Sequence, residues 1–213
     1  MKLYSRWQNS AGERVRIALN LKGLAYDYVP VASLPPGEYR RLNPQGLMPT
    51  LEVDGAFIAQ SGAILEFLEE RFPERRLLPD DPLLRAQARA FGDHIMAEMH
   101  ALTVNRVREY IEHELGLGSE GVERWAHHWL GKGFAALEAT LAARPVEWPF
   151  CFGETPGWAD LHLIPQLANG RRVKCDLAPY ARLLAVEARC VGLDPFIRAR
   201  PDMQVDAPKP AGG

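Results

Sequence analysis

Three short stretches in the first third of the chain have residue types and spacing that could do chemistry. The loop Gln8-Asn9-Ser10-Ala11-Gly12 follows a strand-like Leu3-Tyr4 and opens a helical pattern. The N–H groups at such a helix start, together with the helix dipole, favour an anion or a thiolate, although a polar cap is the simpler use of the same residues. Met48-Pro49 stands immediately before a strand. A cis bond there would turn the Met48 backbone outward, to pair with an extended peptide-like ligand. Gln60-Ser61 stands at a second helix start, where backbone and side chains could hold a carboxylate, or where Ser61 could simply cap the helix. Read together, the stretches describe a ligand with a thiol, a peptide middle and an α-amino acid end. Elsewhere the residues point to less. His127 and His128 are adjacent, so on a helix they diverge and cannot share a metal from one face; Trp125 and Trp129 read as core or interface and not as a stacking platform. No G-x-S-x-G, P-loop or H-E-x-x-H is present, and no metal site is expected.

The elements that must position these residues follow from local signals. The order is a strand at Leu3-Tyr4, a helix from about Gly12 to Lys22 stopped by Gly23, and a strand over residues 26–31 with Pro30 at an edge or end. A short helical stretch near Glu38–Leu42 follows. Next come a hairpin of Thr50–Val53 and Ala56–Ala59 around Asp54-Gly55, and a helix from Ser61 to Phe72. A βαβ unit implies a parallel pair and the hairpin adds antiparallel strands, so the sheet is expected to be mixed and four-stranded. After a linker at Leu78-Pro79-Asp80-Asp81-Pro82 the pattern is helical only. Helices are expected over about 83–114, 120–143, 158–171 and 179–191, with a shorter one near 193–200; the tail from Pro201 to Gly213 is expected to be poorly ordered, at least at its end.

Composition sets the outer bounds. The chain has 213 residues, 47% of them apolar, and a formal net charge of −2. That size supports a real core, and the absence of a basic excess argues against a general nucleic-acid or membrane-surface binder. Cys151, Cys175 and Cys190 are widely spaced with no C-x-x-C, which fits a reducing, cytoplasmic setting; no run approaches the ~20 apolar residues of a membrane span.

The runs Arg14-Val15-Arg16-Ile17-Ala18-Leu19, Asn43-Pro44-Gln45-Gly46-Leu47-Met48-Pro49-Thr50 and Gln60-Ser61-Gly62-Ala63-Ile64-Leu65 carry a resemblance to the glutathione transferase superfamily. In the second half it continues through Ala159-Asp160-Leu161-His162 and Val173-Lys174-Cys175-Asp176-Leu177-Ala178-Pro179-Tyr180. It spans about residues 1–205 and is similar, more narrowly, to the zeta class, whose best-known activity is maleylacetoacetate isomerisation. The resemblance implies a thioredoxin-like α/β domain (βαβαββα) at residues 1–79, an all-α domain at 84–205 bearing the acidic-substrate site, and a tail at 206–213. It implies glutathione as cofactor, a small acidic substrate, a cytoplasmic homodimer, and a place in aromatic amino acid catabolism.

It also implies roles residue by residue. Asn9 and Ser10 would stabilise the thiolate, with Ala11 beside them. Met48, with Pro49, would pair by backbone with the cysteinyl part, and Gln60 and Ser61 would hold the γ-glutamyl end. His100, Asn105 and Arg106 would contact glutathione. Arg172 is the best candidate for the substrate carboxylates, with Arg106 and Arg108 behind it, each also readable as an ordinary surface charge. In the implied mechanism a thiolate adds to a conjugated cis double bond, the resulting single bond rotates, and the thiolate leaves. The chain departs from the family's pattern at Asn9, where a serine is usual, at Glu13, and at Gly157, where Thr or Ser usually caps a helix. A general zeta-like transferase or dehalogenase, or a non-catalytic glutathione binder, are the alternatives.

Overall fold

A computed structural model describes residues 1–209. The part of the expected tail at residues 210–213 lies outside the described residues. The chain forms two compact units, one of Met1–Leu77 joined by the segment from Val191 onward, the other of Leu78–Cys190.

The first unit is built on a four-stranded sheet. Its elements are β1 (Lys2–Ser5), α1 (Ser10–Lys22), β2 (Asp27–Pro30), α2 (Glu38–Leu42), β3 (Thr50–Val53), β4 (Ala56–Ala59) and α3 (Ser61–Arg71). The spatial order is β2-β1-β3-β4, with β1 parallel to β2 and the other pairs antiparallel, so the expected mixed sheet is found. Pro30 ends an edge strand, where its missing N–H costs no ladder bond. Gly23 ends α1 at φ 68°, and Asp54 and Gly55 turn the hairpin at φ 50° and 81°. Leu3, Val15, Leu19, Leu51, Ile64, Leu65 and Leu68 are fully buried between sheet and helices.

The helical unit contains α4 (Pro82–Asp93), a π-helical stretch (His94–His100), α5 (Ala101–Thr103), α6 (Asn105–Glu109), a second π-helical stretch (Tyr110–Glu114), α7 (Gly118–Ala142), α8 (Trp158–Arg172) and α9 (Ala181–Cys190). The helix expected over 83–114 is therefore broken. Val104 turns extended (φ −67°, ψ 157°), and the Trp125 indole N–H reaches across from α7 to the Leu102 carbonyl (2.7 Å). Of the two readings for Trp125 and Trp129, core or interface, Trp125 does not take the first, and Trp129 is half-buried. Trp125 is 36% exposed and packs edge-to-face on Trp129, while their helix buries Ala126 and Leu130 instead. The linker is partly helix cap, since the Asp81 carboxylate accepts the Leu84 N–H (2.8 Å) and Pro82 opens α4.

The expected boundary of the helical domain at 205 also needs correcting. α10 (Asp194–Ala199) and the residues after it belong with the sheet. The Asn20 amide donates to the Pro195 carbonyl and Arg16 Nε to that of Ala199, both at 2.9 Å, which ties α10 to α1. The expected poorly ordered tail is likewise structured over its described part: Pro201–Met203 is a 3-10 turn, and Asp206 is hydrogen-bonded to Trp7 and Tyr28.

Candidate functional site

Register alone brings the three stretches of the first unit to one edge. Tyr4 pairs with Thr50, and Thr50 with Ala59. The loop after β1, the Met48-Pro49 turn before β3 and the Gln60 corner after β4 therefore leave the same end of three neighbouring strands. At ~4.8 Å per strand spacing they span roughly 10 Å. An extended tripeptide, at ~3.3–3.6 Å per residue, is about that long.

At the first stretch, Asn9 is the N-cap of α1, and its Oδ1 accepts the Gly12 N–H at 2.5 Å. The cap needs an acceptor, so the Nδ2 amide hydrogens sit on the opposite branch of the side chain, as donors. The Asn9 carbonyl accepts the Glu13 N–H (2.8 Å), and the remaining first-turn N–H groups belong to Ser10 and Ala11. The loop must pass close to β1. A Cβ added at Gly12 would lie 2.1 Å from the Ser5 hydroxyl and 3.0 Å from Asn9 Oδ1, so only glycine leaves this cap intact. Glu13 is buried, and its charge is felt by Arg14 and Arg16, which holds both guanidiniums more basic than burial alone would. Arg14 is nevertheless pushed down from 12.5 to about 10 by desolvation, and its Nε and Nη2 meet no acceptor.

The Met48-Pro49 bond is cis. The residues before it are clamped: the Tyr39 hydroxyl (2.8 Å) and the Asn43 amide (2.7 Å) both donate to the Leu47 carbonyl, and both also bond Thr50 Oγ1. At the third stretch, Gln60 rather than Ser61 is the cap residue, and Ser61 is the first residue of α3. Gln60 sits at φ 71° and ψ 121°, a conformation that costs an L-residue roughly 1–3 kcal/mol and concentrates at ligand clamps. Its amide donates to Gln45 Oε1 (2.7 Å), a partner no sequence signal indicated. The first turn of α3 holds no acidic residue and the Gln60 side chain makes no cap bond, and a helix start of that kind favours an anion.

In the helical unit, His100 closes the first π-helical stretch, and Asn105 and Arg106 are exposed on α6. Arg108 Nε is buried without an acceptor. The neighbouring Arg171 and Arg172 of α8 are both exposed at the helix end, and Arg171 forks onto Glu187. A cavity of about 410 Å³ lies between α4 and α7, beside Phe91, His94 and Trp148; none of the sequence-derived candidates lines it. Among the described residues there is no metal-ligand cluster, and no helix is long and apolar enough to cross a membrane.

These donors fit a tripeptide thiol: an amide and helix-start N–H groups for a sulfur anion, a presented backbone in the middle, and an open helix start for a carboxylate. Comparison with known proteins points the same way. Residues 10–71 match the family described as glutathione S-transferase, N-terminal domain. The maleylpyruvate isomerase of Ralstonia sp is 40% identical over 212 residues, covering 97% of this chain and all of the relative. A holo structure of maleyl pyruvate isomerase, described as a bacterial zeta-class glutathione S-transferase, superposes with a TM-score of 0.93 at 39% identity, covering 98% of this chain and 100% of the other. The maleylacetoacetate isomerase structure from Methylobacterium extorquens AM1, with bound malonate and glutathione, gives 0.91 at 35% identity over 98% and 100% of the two chains. A thioredoxin-like sheet with helix starts gathered at one edge is the glutathione-binding half of a glutathione transferase. The chain belongs to that superfamily and, within it, to the zeta class.

Proposed function

We propose that the protein is a glutathione-dependent cis–trans isomerase of a maleyl keto acid, of the maleylacetoacetate-to-fumarylacetoacetate type. The observation that carries this is the alignment, on one sheet edge, of the Asn9-capped start of α1, the cis Met48-Pro49 turn and the acid-free start of α3. Bound glutathione supplies a thiol whose anion can add to a conjugated double bond, allow rotation and leave unchanged. The residues of this chain do the rest. Asn9, through Nδ2, and Ser10 donate to the sulfur and favour its anion, aided by the α1 dipole, with Ala11 lining the same turn. The Met48 backbone, held by its neighbours and by Pro49, pairs with the peptide middle. Gln60 and Ser61 receive the γ-glutamyl end at the start of α3.

From the helical unit, we take His100, Asn105 and Arg106 to contact glutathione and Arg172 to hold the substrate carboxylates, as the resemblance implies. Guanidinium chemistry supports the last assignment, because a planar fork matches a carboxylate. The protein acts as a cytoplasmic homodimer in aromatic amino acid catabolism. Free cysteines and the exposed Leu47 and Phe57 of the first unit support that setting.

The test is isomerisation of maleylacetoacetate and maleylpyruvate with and without trace glutathione. Rapid turnover that needs glutathione but does not consume it is expected. Steady glutathione consumption with an electrophile, and no isomerisation, overturns the reading.

A further inference from the structure

The loop that carries Asn9 has few hydrogen bonds of its own. Between Ser5, the last residue of β1, and the start of α1, the contacts internal to the loop include the Ser5 hydroxyl donating to the Arg6 carbonyl (3.5 Å) and Arg6 Nε donating to the Gln8 carbonyl (3.1 Å). Further holds come from outside the loop. The Trp7 N–H donates to Asp206 Oδ2 at 2.9 Å. The Trp7 carbonyl accepts from Arg16 Nη2 at 3.2 Å. Both polar groups of one residue, two places before Asn9, are therefore fixed from outside the loop.

Each of these holders is itself braced. The other Asp206 oxygen accepts the Tyr28 hydroxyl (3.0 Å), and the Arg16 guanidinium lies 5.9 Å over the Tyr28 ring. Arg16 is fully buried and spends its Nε on the Ala199 carbonyl. The carboxylate is brought into place by a folded segment. Gln204 Nε2 donates to the Arg198 and Arg200 carbonyls (2.9 and 2.8 Å), and the Ala207 N–H returns to Gln204 (3.0 Å). The Asp206 charge is felt by Arg16, so the clamp puts no unbalanced negative charge beside a site for an anion.

We propose that Asp206 is a positioning residue for thiol activation: its carboxylate fixes the Trp7 backbone and thereby the aim of the Asn9 and Ser10 donors. This rests on the reading of that loop as the glutathione sulfur site. A carboxylate accepting a backbone N–H is the stronger kind of hydrogen bond. Catalysis by aimed donors is unusually sensitive to place, since an error of ~1 Å can cost about a hundredfold in rate. Binding of the rest of the tripeptide draws on Met48 and on the start of α3, which Asp206 does not touch. The clamp should therefore act on turnover and on sulfur acidity more than on affinity.

The experiment compares the full-length protein with Asp206→Ala, Asp206→Asn and Tyr28→Phe. It measures kcat and the glutathione KM for maleylpyruvate isomerisation, and the pKa of the bound glutathione thiol from its ultraviolet thiolate absorbance. For Asp206→Ala the expectation is a drop in kcat of about tenfold, a rise in bound-thiol pKa of about one unit, and a change in KM under about twofold. Asp206→Asn keeps an acceptor for the Trp7 N–H and is expected to restore kcat to within about threefold of wild type. Tyr28→Phe removes only the brace and should lower kcat by about threefold and raise the thiol pKa by about half a unit, which keeps the test decisive if Asp206→Ala fails to fold. Unchanged kcat and thiol pKa in the folded variants, or a loss confined to KM, overturns the proposal. A wild-type protein that does not acidify bound glutathione overturns both this inference and the functional reading beneath it. Wild-type acidification that survives in Asp206→Ala overturns this inference alone.

Discussion

The helix starts of α3 and α8 solve the same electrostatic problem in opposite ways. Both begin without a side-chain cap from the N-cap residue. At α8 the chain answers itself. Asp160, the third residue of the helix, is buried and accepts the Gly157 N–H (2.8 Å) and the Cys151 N–H (2.9 Å) on its two oxygens. Gly157 has no side chain to return the favour, so only one half of a capping box exists there. Burial raises the Asp160 pKa, and the backbone donors partly reverse that shift. At α3 no acid stands in the first turn, and the position equivalent to Asp160 is Ala63, which is exposed. A start filled by its own carboxylate is scaffold. A start with no acid of its own, beside a strained Gln60, is of the kind that can take an anion from outside.

The largest test of that contrast is Asp160→Ala. It strands two buried N–H groups at ~1–3 kcal/mol each, so a loss of about 3 kcal/mol in urea unfolding is expected. A loss under about 1 kcal/mol would show that the carboxylate is not structural.

Next comes a buried charge two of whose N–H donors lack acceptors. Arg14→Met should stabilise the protein at neutral pH by about 2 kcal/mol, because it removes a desolvated cation. The sign of its pH dependence follows from the shift. A guanidinium pushed from 12.5 down to about 10 weakens the fold while it is protonated, and the penalty fades once pH rises past its folded-state value. The advantage of the methionine variant should therefore shrink above about pH 10 in paired unfolding curves. A gap that stays constant with pH refutes this account.

The smallest expected effect is the sharpest. Ala63→Asp gives α3 the device of α8. Stability should hold or rise by ~0.3–1 kcal/mol, while the glutathione KM rises about tenfold, as its carboxylate meets a start already neutralised. An unchanged KM would place the carboxylate elsewhere.

What could be read from the sequence was what is decided locally. The hairpin strands and α2 fall where expected because Asp54-Gly55 and the flanking patterns act within a few residues. Gly23 stops α1 for the same reason. The cap of α3 was placed one residue late because Gln60 adopts a positive φ that its type does not advertise. The break at Val104 has no proline or glycine to announce it; it depends on Trp125 reaching over from another helix. In the candidate site, Asn9, Met48 and Gln60 were legible as residue types at element ends. The Gln45 partner of Gln60, the Asp206 clamp on Trp7 and the two Arg14 donors left without acceptors were not, because each depends on which distant segments the fold brings together or leaves apart.

The return of residues 191–209 to the sheet makes the helical unit an insertion within the first one, not a second bead on a string. The order of synthesis then matters. The ribosome delivers strands and helix starts first and the brace for the Asn9 loop last, after every helix of the inserted unit. A nascent chain can therefore form its strands before residue 206 exists, and the Trp7–Asp206 bond closes only once the inserted helices have been made.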